Sequence, residues 1–282
     1  MTIAPGKPAN LLSFDVEDYF HGPAFKHVSS DSWDRLESRV VANMEKVLSI
    51  LGEQKATFFA LGWVVAKYPG VFRELHQQGH EIACHSYSHK HIWDQSLQQF
   101  REDLIRAKKV IEDAIGAEVI GYRAPTFSIT QETLWAINIL RDVGFKYDSS
   151  IFPIHHDRYG IPDFPRFPFK LAVDFWEIPL STINFLTLRV PFGGGGYFRL
   201  YPYWLTKYFI RKINQEGFPF VFYQHPWELE DLKKAKFAKP KSTLASLRRS
   251  LTIGTTENKL KKLLKGFRFE PIRDWLEERN ES

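Results

Sequence analysis

Two kinds of hydrophobic pattern alternate along the chain. Short apolar runs, typical of buried strands, alternate with longer segments whose apolar residues recur at helical spacing and mostly end next to a glycine. The predicted strands cover 10–15, 56–61, 80–85, 119–123, 145–149 and 218–224. The predicted helices cover 38–51, 69–78, 97–115, 131–143 and 203–215. The pattern therefore predicts repeated strand–helix units with short connections.

Repeated strand–helix units indicate a particular fold class. Because a helix returns the chain to the same end of the sheet each time, successive strands run parallel, which predicts an α/β protein. In such folds the functional side chains cluster where the strands end. We therefore expect the chemistry of this chain to lie at the carboxyl ends of its predicted strands.

An irregular stretch interrupts the alternation between residues 151 and 201. It contains six prolines, and a run of four glycines covers 193–196. We predict an insertion here with short antiparallel strands. Terminal helices are predicted over 244–251 and 257–264.

The composition is that of a globular protein, with 44% hydrophobic and 25% charged residues. Aromatic residues reach 15%, and the surplus rings either build a dense core or line a sugar-binding cleft. The single cysteine, Cys84, excludes an intrachain disulfide framework and any multi-cysteine zinc or iron–sulfur site.

Positive charge is concentrated near the C-terminus. The net charge is +5 and the pI about 9.1, with the basic excess between residues 233 and 279. Such a segment could contact nucleic acid or an anionic membrane, but without a nucleic-acid motif we favour a solvated helix face and predict no nucleic-acid partner. The first residues do not form a signal peptide, and no apolar run is long enough to span a membrane, so we expect a cytoplasmic protein.

Candidate metal ligands follow the first and third strands. Asp15, Glu17 and Asp18 crowd three carboxylates together, which raises a pKa unless a cation compensates. His85 and His89 are four residues apart and can face one point across a turn of helix. Two histidines and a carboxylate form a metal site with open coordination positions. The alternative is a helix-capping carboxylate and two ordinary loop histidines.

Further polar residues end the later strands. Arg123 follows the fourth strand, where a buried arginine would pair with a carboxylate and keep it ionised. Asp148 ends the fifth strand, and His225 ends the sixth. A histidine at a strand end suits a general acid, although a satisfied structural histidine is the alternative. Trp227 follows closely, and we predict that it lines the substrate site.

These residues stand in the order of five known motifs. The motifs read Ser13-Phe-Asp15-Val-Glu17-Asp18, His85-Ser-Tyr-Ser-His89, Tyr122-Arg123-Ala-Pro125, Tyr147-Asp148 and Tyr223-Gln-His225-Pro. Over about residues 10–230 they resemble the NodB-type polysaccharide deacetylases, carbohydrate esterase family 4. Residues 191–269 also resemble the C-terminal extension of a subgroup linked to exopolysaccharide loci.

The resemblance implies a fold and a domain organisation. The expected fold is a distorted (β/α)7 barrel of the NodB type. We expect one domain over 1–282, with the barrel core over about 10–230, the insertion over about 151–201 and a helical extension over about 231–282.

The resemblance also implies a role for each motif residue. Asp15 matches the catalytic base, and Arg123 matches the arginine that tethers it. His225 matches the general acid, and Asp148 matches the aspartate that tunes this histidine or lines the site. The backbone N–H near Thr126 matches the oxyanion donor.

The metal ligands come from the same resemblance. His85 and His89 match the metal-binding histidines. Many members have adjacent aspartates in the first motif, whereas this chain has Asp-Val-Glu-Asp. Members with an Asp-x-Asp pattern use its third position, which selects Glu17 and leaves Asp18 as the alternative. Zinc is the expected cation, and cobalt, nickel or iron also suit this ligand set.

The predicted function is metal-dependent hydrolysis. We expect removal of N-acetyl groups from an amino sugar of a polysaccharide or its precursor, with release of acetate. The expected partner is therefore an N-acetylated glycan, and the sequence predicts no oligomeric state. Hydrolysis of a small amide and glycan binding without catalysis are the alternative functions.

Overall fold

The first strand shows how the sequence builds the barrel wall. The computed structural model describes residues 9–22, 25, 27–185, 188–230 and 256–280. Strand β1 (Asn10–Val16) is buried along its whole length. Leu12 and Phe14 pack in the large apolar cluster shared by the sheet and the helices, whereas Leu11 packs in a second cluster formed by successive strands. Because side chains alternate along a strand, Asp15 lies on the same face as Leu11, which is the inner face of the barrel.

Seven parallel strands form the wall. The remaining strands are β2 (Thr57–Ala60), β3 (Glu81–Cys84), β4 (Gly121–Tyr122), β5 (Tyr147–Asp148), β6 (Phe169–Ala172), β7 (Phe175–Glu177), β8 (Thr182–Phe185), β9 (Leu188–Pro191), β10 (Val221–Gln224) and β11 (Phe269–Glu270). The seven wall strands lie in the order β10-β1-β2-β3-β4-β5-β7, and β11 also pairs in parallel with the start of β1. The α/β class and the distorted (β/α)7 barrel are confirmed.

Backbone hydrogen bonds bring the two ends of the sheet together. The Ser181 N–H donates to the Val221 carbonyl at 3.3 Å, and the Tyr223 N–H donates to the Gly193 carbonyl at 2.8 Å. At the far edge β6 runs antiparallel to β7, while β8 and β9 form a separate antiparallel pair. The segment after β7 therefore lies against β10 and curls the sheet into a barrel.

The helices agree closely with the predicted pattern. They are α1 (Val40–Leu51), α2 (Gly62–Lys67), α3 (Pro69–Gln77), α4 (Leu97–Ile115), α5 (Ala136–Val143), α6 (Gly195–Leu200), α7 (Tyr203–Gln215), α8 (256–266) and α9 (Ile272–Asn280). The short helices α2 and α6 and the terminal α9 were not predicted. The helix predicted over 131–143 starts as a separate 3-10 turn, and the one predicted over 244–251 lies outside the described residues. Among the described helices, none is long and apolar enough to cross a membrane.

One strand within the predicted insertion belongs to the barrel wall. β7 pairs in parallel with β5, so the expectation of antiparallel strands alone over 151–201 is wrong at this point. The expectation holds for β6, β8 and β9. A strand of three residues is too short to show an alternating pattern, and the prolines around it masked it further.

The C-terminal helix closes the amino-terminal end of the barrel. The Ile272 N–H donates to Thr57 Oγ1 at 2.8 Å, and the Arg273 N–H donates to Glu81 Oε2 at 2.9 Å. Thr57 and Glu81 are the first residues of β2 and β3, and Trp275 of α9 is buried beneath them. Only the opposite end, where the strands finish, remains for the predicted chemistry.

Candidate active site

The side chains at the carboxyl end of β1 and β4 meet inside the barrel. Arg123 is fully buried, and its Nη1 lies 2.7 Å from Asp15 Oδ1. The guanidinium also donates to the Ser13 hydroxyl and to both the carbonyl and the hydroxyl of Ser149. Phe59 packs against it, with the ring centre 3.9 Å from Cζ. Every nitrogen of the Arg123 guanidinium therefore donates a hydrogen bond, and Asp15 is held in one position.

Glu17, His85 and His89 form a compact cluster beside Asp15. One ligand atom from each lies within 4.8 Å of the others. Glu17 Oε2 is 2.5 Å from His89 Nε2 and 3.9 Å from His85 Nε2. His85 Nδ1 lies 2.8 Å from the Arg123 carbonyl, which can only accept a hydrogen bond. This contact places the proton on Nδ1 and leaves Nε2 of His85 available as a metal ligand.

The two histidines lie in a tight loop. The prediction that they share a turn of helix is wrong: Ser86 and His89 have left-handed φ values of 60° and 55°. Asp103 of α4 holds the loop, because its carboxylate accepts the N–H groups of Tyr87 at 2.7 Å and Ser88 at 3.1 Å. The convergence of the imidazoles therefore depends on loop strain and a distant carboxylate, which helical periodicity cannot reveal.

The electrostatic surroundings suit metal ligation. Burial alone would raise the pKa of Glu17, but the neighbouring His89 and His225 outweigh it and hold this pKa well below its usual range. Burial lowers the pKa of His85 to about 4 and that of the adjacent His21 to about 3. Glu17 is thus ionised and His85 neutral at pH 7, which are the protonation states that bind a cation.

Asp18 has a different environment. Its Oδ1 accepts the Arg39 N–H at 2.7 Å, and burial raises its pKa to about 6. The only cluster with metal-ligand spacing in the described ranges contains Glu17 and excludes Asp18. The geometry therefore favours Glu17 over Asp18 as the carboxylate of this site.

His225 approaches the cluster from the end of β10, the strand that pairs with β1. Its Nε2 lies 3.5 Å from Glu17 Oε1, and the side chain is 21% exposed. Burial would lower the pKa of His225, but Glu228 and Glu17 outweigh it and raise this pKa to about 9. A protonated imidazole at the mouth of the site is positioned to donate a proton.

Glu228 is a site residue that the sequence reasoning missed. Its Oε2 lies 3.9 Å from His225 Nδ1, and its Oε1 lies 2.9 Å from Arg199 Nη1. Burial raises the pKa of Glu228, but Arg199 and His225 outweigh it and lower this pKa to about 2. Gly195 makes room, since a Cβ there would lie 2.3 Å from Glu228 Oε2. The signals available were the carboxylate three residues after His225 and the four-glycine run.

Two predicted site residues lie in unexpected places. Trp227 is only 3% exposed; its ring stacks on His225 with centroids 5.0 Å apart, and its Nε1 is 3.4 Å from Glu17 Oε1. Trp227 is therefore a buried support for His225 and Glu17 and does not line an open substrate surface, contrary to the prediction. Asp148 is fully buried and stands opposite Glu177 in the register of β5 and β7.

Asp148 is linked to the loop after β4 through Ser150. Its carboxylate accepts the Ser150 hydroxyl at 2.5 Å, and this hydroxyl in turn accepts the Ala124 N–H at 2.7 Å. The next residues form a 3-10 turn in which Thr126 has a left-handed φ of 56°. Asp148 thus supports the backbone that carries the predicted oxyanion donor, whereas Glu228 stands beside His225.

Comparison with known protein families divides the chain in two. Residues 26–147 match the polysaccharide deacetylase family, and residues 149–277 match a domain of unknown function, DUF3473. The first match contains the two histidines and Arg123. The second contains His225 and Glu228, so the site draws on both segments. The link to exopolysaccharide loci stays a prediction.

Curated relatives match over part of the chain. Peptidoglycan deacetylase-like protein FGM2 of Gibberella zeae is 30% identical over 39% of this chain and 32% of its own length. The peptidoglycan deacetylase of Helicobacter pylori is 27% identical over 44% of this chain and 43% of its own length. The chain therefore spans less than half of these relatives.

The fold has a full-length counterpart among solved structures. A crystal structure of a Mycobacterium smegmatis protein described as a polysaccharide deacetylase has a TM-score of 0.57. The alignment covers 96% of this chain and 95% of that one, at 19% identity. At this identity the likeness shows a shared fold.

Proposed function

We propose that this chain, whose residues 26–147 match the polysaccharide deacetylase family, is a metal-dependent N-deacetylase. The substrate is an N-acetylated amino sugar of a polysaccharide or its precursor, and the products are acetate and the free amine. The curated relatives named above carry deacetylase names, which supports this reaction class.

The observation that carries the proposal is the cluster of Glu17, His85 and His89 between a tethered carboxylate and a protonated histidine. Glu17 Oε2 is buried without a well-aligned hydrogen-bond donor among the described residues, which fits a carboxylate intended for a cation. Two imidazoles and one carboxylate are ligands typical of a catalytic zinc site, so zinc is the proposed metal. Bound there, it would polarise the acetamide carbonyl and acidify a water molecule.

The protein's own groups then divide the proton transfers. Asp15 accepts a proton from the attacking water as the new carbon–oxygen bond forms, while Arg123 keeps this carboxylate in place at 2.7 Å. His225 donates its proton to the departing nitrogen as the carbon–nitrogen bond breaks, because an amide anion is too basic to leave.

Two further groups assist these transfers. In this mechanism the backbone N–H of Thr126 donates to the oxyanion. Thr126 has a left-handed φ of 56°, in a turn that Asp148 supports through Ser150. Glu228 balances the charge of His225 and orients its ring.

The test is acetate release from a panel of N-acetylglucosamine oligomers of increasing length and from small amides. We expect release from the glycans, loss with a chelator, recovery with zinc, and zinc in elemental analysis of the purified protein. Asp15→Asn should keep the metal and lose turnover by about 10²–10⁴-fold. Hydrolysis of small amides alone would favour the small-amide alternative. Glycan binding by the zinc-loaded protein without any hydrolysis would favour the non-catalytic one.

A further inference from the structure

The outer face of α7 exposes large apolar side chains. Trp204 is 68% exposed and Tyr208 57% exposed, and Leu200 at the end of α6 is 62% exposed. Trp204 and Tyr208 are four residues apart and therefore lie on the same helix face. These three residues form what we call the α7 patch.

The α7 patch is not a by-product of core packing. The helix already has a core face, formed by Thr206, Ile210 and Ile213. In an amphipathic helix the opposite face is expected to be polar. Yet three of the nine exposed large hydrophobic residues in the described ranges fall between residues 200 and 208. The aromatic rings therefore face outward on a helix that does not need them inside.

Cations surround the patch. Helix α7 contains Lys207, Arg211 and Lys212 and no acidic residue, and residues 256–266 contain four lysines and one glutamate. These two helices together carry a net charge of +6, more than the +5 of the whole chain. In the described part of the chain, no carboxylate lies within ion-pairing distance of the three α7 cations.

The two basic helices lie side by side. The Tyr203 hydroxyl donates to the Lys262 carbonyl at 2.8 Å. Lys259 is turned inward onto the carbonyls of Arg199 and Tyr201, at 2.8 and 2.9 Å, where it ties the end of α6 to α8. Lys261 pairs with Glu257 at 2.7 Å, whereas Lys262 and Lys265 are exposed and add positive charge to that of α7.

The patch lies toward the catalytic end of the barrel. Because α7 leads into the parallel strand β10, its first residues lie at the end where the strands finish. Helix α6 supports this placement, since Phe198 packs on Phe222 of β10 at 5.0 Å between ring centres and Gly195 abuts Glu228.

We propose that the α7 patch and its surrounding cations bind the surface of an anionic phospholipid membrane. Tryptophan and tyrosine partition to the headgroup region of a bilayer, and exposed leucine gains by burial at its edge. Lysines and arginines around such residues are attracted by anionic lipids. Leu200, an exposed aliphatic side chain four residues before Trp204, favours a membrane over a nucleic acid, because proteins that bind nucleic acids combine cations with stacking rings. This inference does not depend on the proposed reaction.

The test is sedimentation of the full chain with vesicles. Vesicles of phosphatidylcholine with about one third phosphatidylglycerol should bind the protein at about 0.1 M salt, and pure phosphatidylcholine should not. Trp204→Ala and Arg211→Glu should each weaken binding by about tenfold or more. The matched controls are Phe185→Ala, which removes an aromatic side chain 65% exposed elsewhere, and Lys146→Glu, which reverses an exposed charge elsewhere. Both controls should bind as the parent does.

Three results would overturn the proposal. The first is no binding to the anionic vesicles. The second is equal binding by the parent and the Trp204→Ala and Arg211→Glu variants, which would move the membrane contact to another basic segment. The third is retention of the parent on a single-stranded oligonucleotide with loss in the same two variants, and no vesicle binding, which would make the patch a nucleic-acid surface. Circular dichroism of each variant checks that α7 is intact.

Discussion

The two halves of the catalytic end differ in what the acidic residues at their strand ends face. In the half formed by β1 to β4, Asp15 faces Arg123 at 2.7 Å and Glu17 faces His89 at 2.5 Å. Each of these two carboxylates meets a cation or an imidazole. Both are therefore held in fixed positions, and the surroundings of Glu17 hold its pKa well below the usual range.

The half formed by β5 to β10 is arranged less tightly. Asp148 stands opposite Glu177; burial raises the pKa of Asp148, and burial together with the neighbouring Asp148 raises the pKa of Glu177. His225 Nδ1 is buried without a hydrogen bond among the described residues and lies 3.9 Å from Glu228.

The contrast indicates a division of labour. In the proposed mechanism, acidic residues act as base or ligand where they face a cation or an imidazole, whereas Asp148 and Glu177, which face each other, act as a support. The half with the proposed base and ligands is preorganised. In the half with the proposed general acid, the distance from Glu228 to His225 must shorten by roughly 1 Å before a hydrogen bond can form.

The largest expected effect comes from breaking the ligand set of the first half. His85→Ala or His89→Ala should remove the bound metal and lower turnover by more than about 10³-fold, because both the polarised carbonyl and the activated water are lost. Elemental analysis and acetate release are the measurements. His91→Ala is the matched control, since His91 lies two residues beyond the site and pairs with Asp94 at 3.0 Å. Full metal occupancy in either ligand variant would refute the assignment.

The second expected effect tests how strongly the first half is fixed. Arg123→Met leaves the Asp15 carboxylate buried without its cation and should cost about 3–5 kcal/mol in the free energy of unfolding, measured with urea. Adding Asp15→Asn should recover part of this loss, because no charge then remains buried. Arg141→Met is the control: its pair with Asp174 is exposed, so the cost should stay below about 1 kcal/mol. Equal losses at the two arginines would show that burial of the Arg123 pair has no energetic consequence.

The sequence predicted the β1 to β4 half of the catalytic end better than the β5 to β10 half. Strand ends and short motifs identify Asp15, Arg123 and His85, because their partners come from neighbouring strands in regular strand–helix units. Glu228 depends on Arg199, which reaches it from α6, a six-residue helix inside an irregular stretch.

The same limit explains the other differences. The parallel strand β7 has three residues, too few for a periodic signal, and it alone brings Glu177 opposite Asp148. The prediction of a helical turn for His85 and His89 was wrong. Left-handed φ values at non-glycine residues follow from tertiary contacts, and a local sequence pattern does not contain this information.

A third prediction concerns His225 and Glu228 in the less tightly arranged β5 to β10 half. Glu228→Gln removes the negative charge beside His225 and should lower kcat by about 10–10²-fold, less than the roughly 10²–10⁴-fold expected for His225→Ala. KM and metal content should not change, because Glu228 touches neither the metal ligands nor the open end of the site.

Asp148→Asn is the matched comparison for this role. Its contacts run to Ser150 and Glu177, so it should leave kcat closer to the parent value than Glu228→Gln does. A large kcat loss in Asp148→Asn with none in Glu228→Gln would return the tuning of His225 to Asp148. Denaturation midpoints of both variants separate a folding defect from a catalytic one.

The smallest expected effect concerns the two buried acids that face each other, Asp148 and Glu177. Burial raises the pKa of Asp148 to about 6, and burial together with Asp148 raises the pKa of Glu177 well above its usual range. Because both folded-state values exceed the unfolded ones, the contribution of the pair to stability is complete below about pH 4. It falls as the pH rises through about 6 for Asp148 and continues to fall at higher pH for Glu177. Glu177→Gln removes one of the two acids and supplies an amide N–H to the other, so this loss should shrink. The variant should therefore gain on the order of 1–2 kcal/mol relative to the parent between about pH 4 and pH 8, measured as the free energy of unfolding in urea.

Glu45→Gln, at an exposed position of α1, should show no such gain. A difference between parent and Glu177→Gln that stays constant over this range would mean that Asp148 and Glu177 do not share a proton, and the contrast between the two halves would then rest on His225 and Glu228 alone.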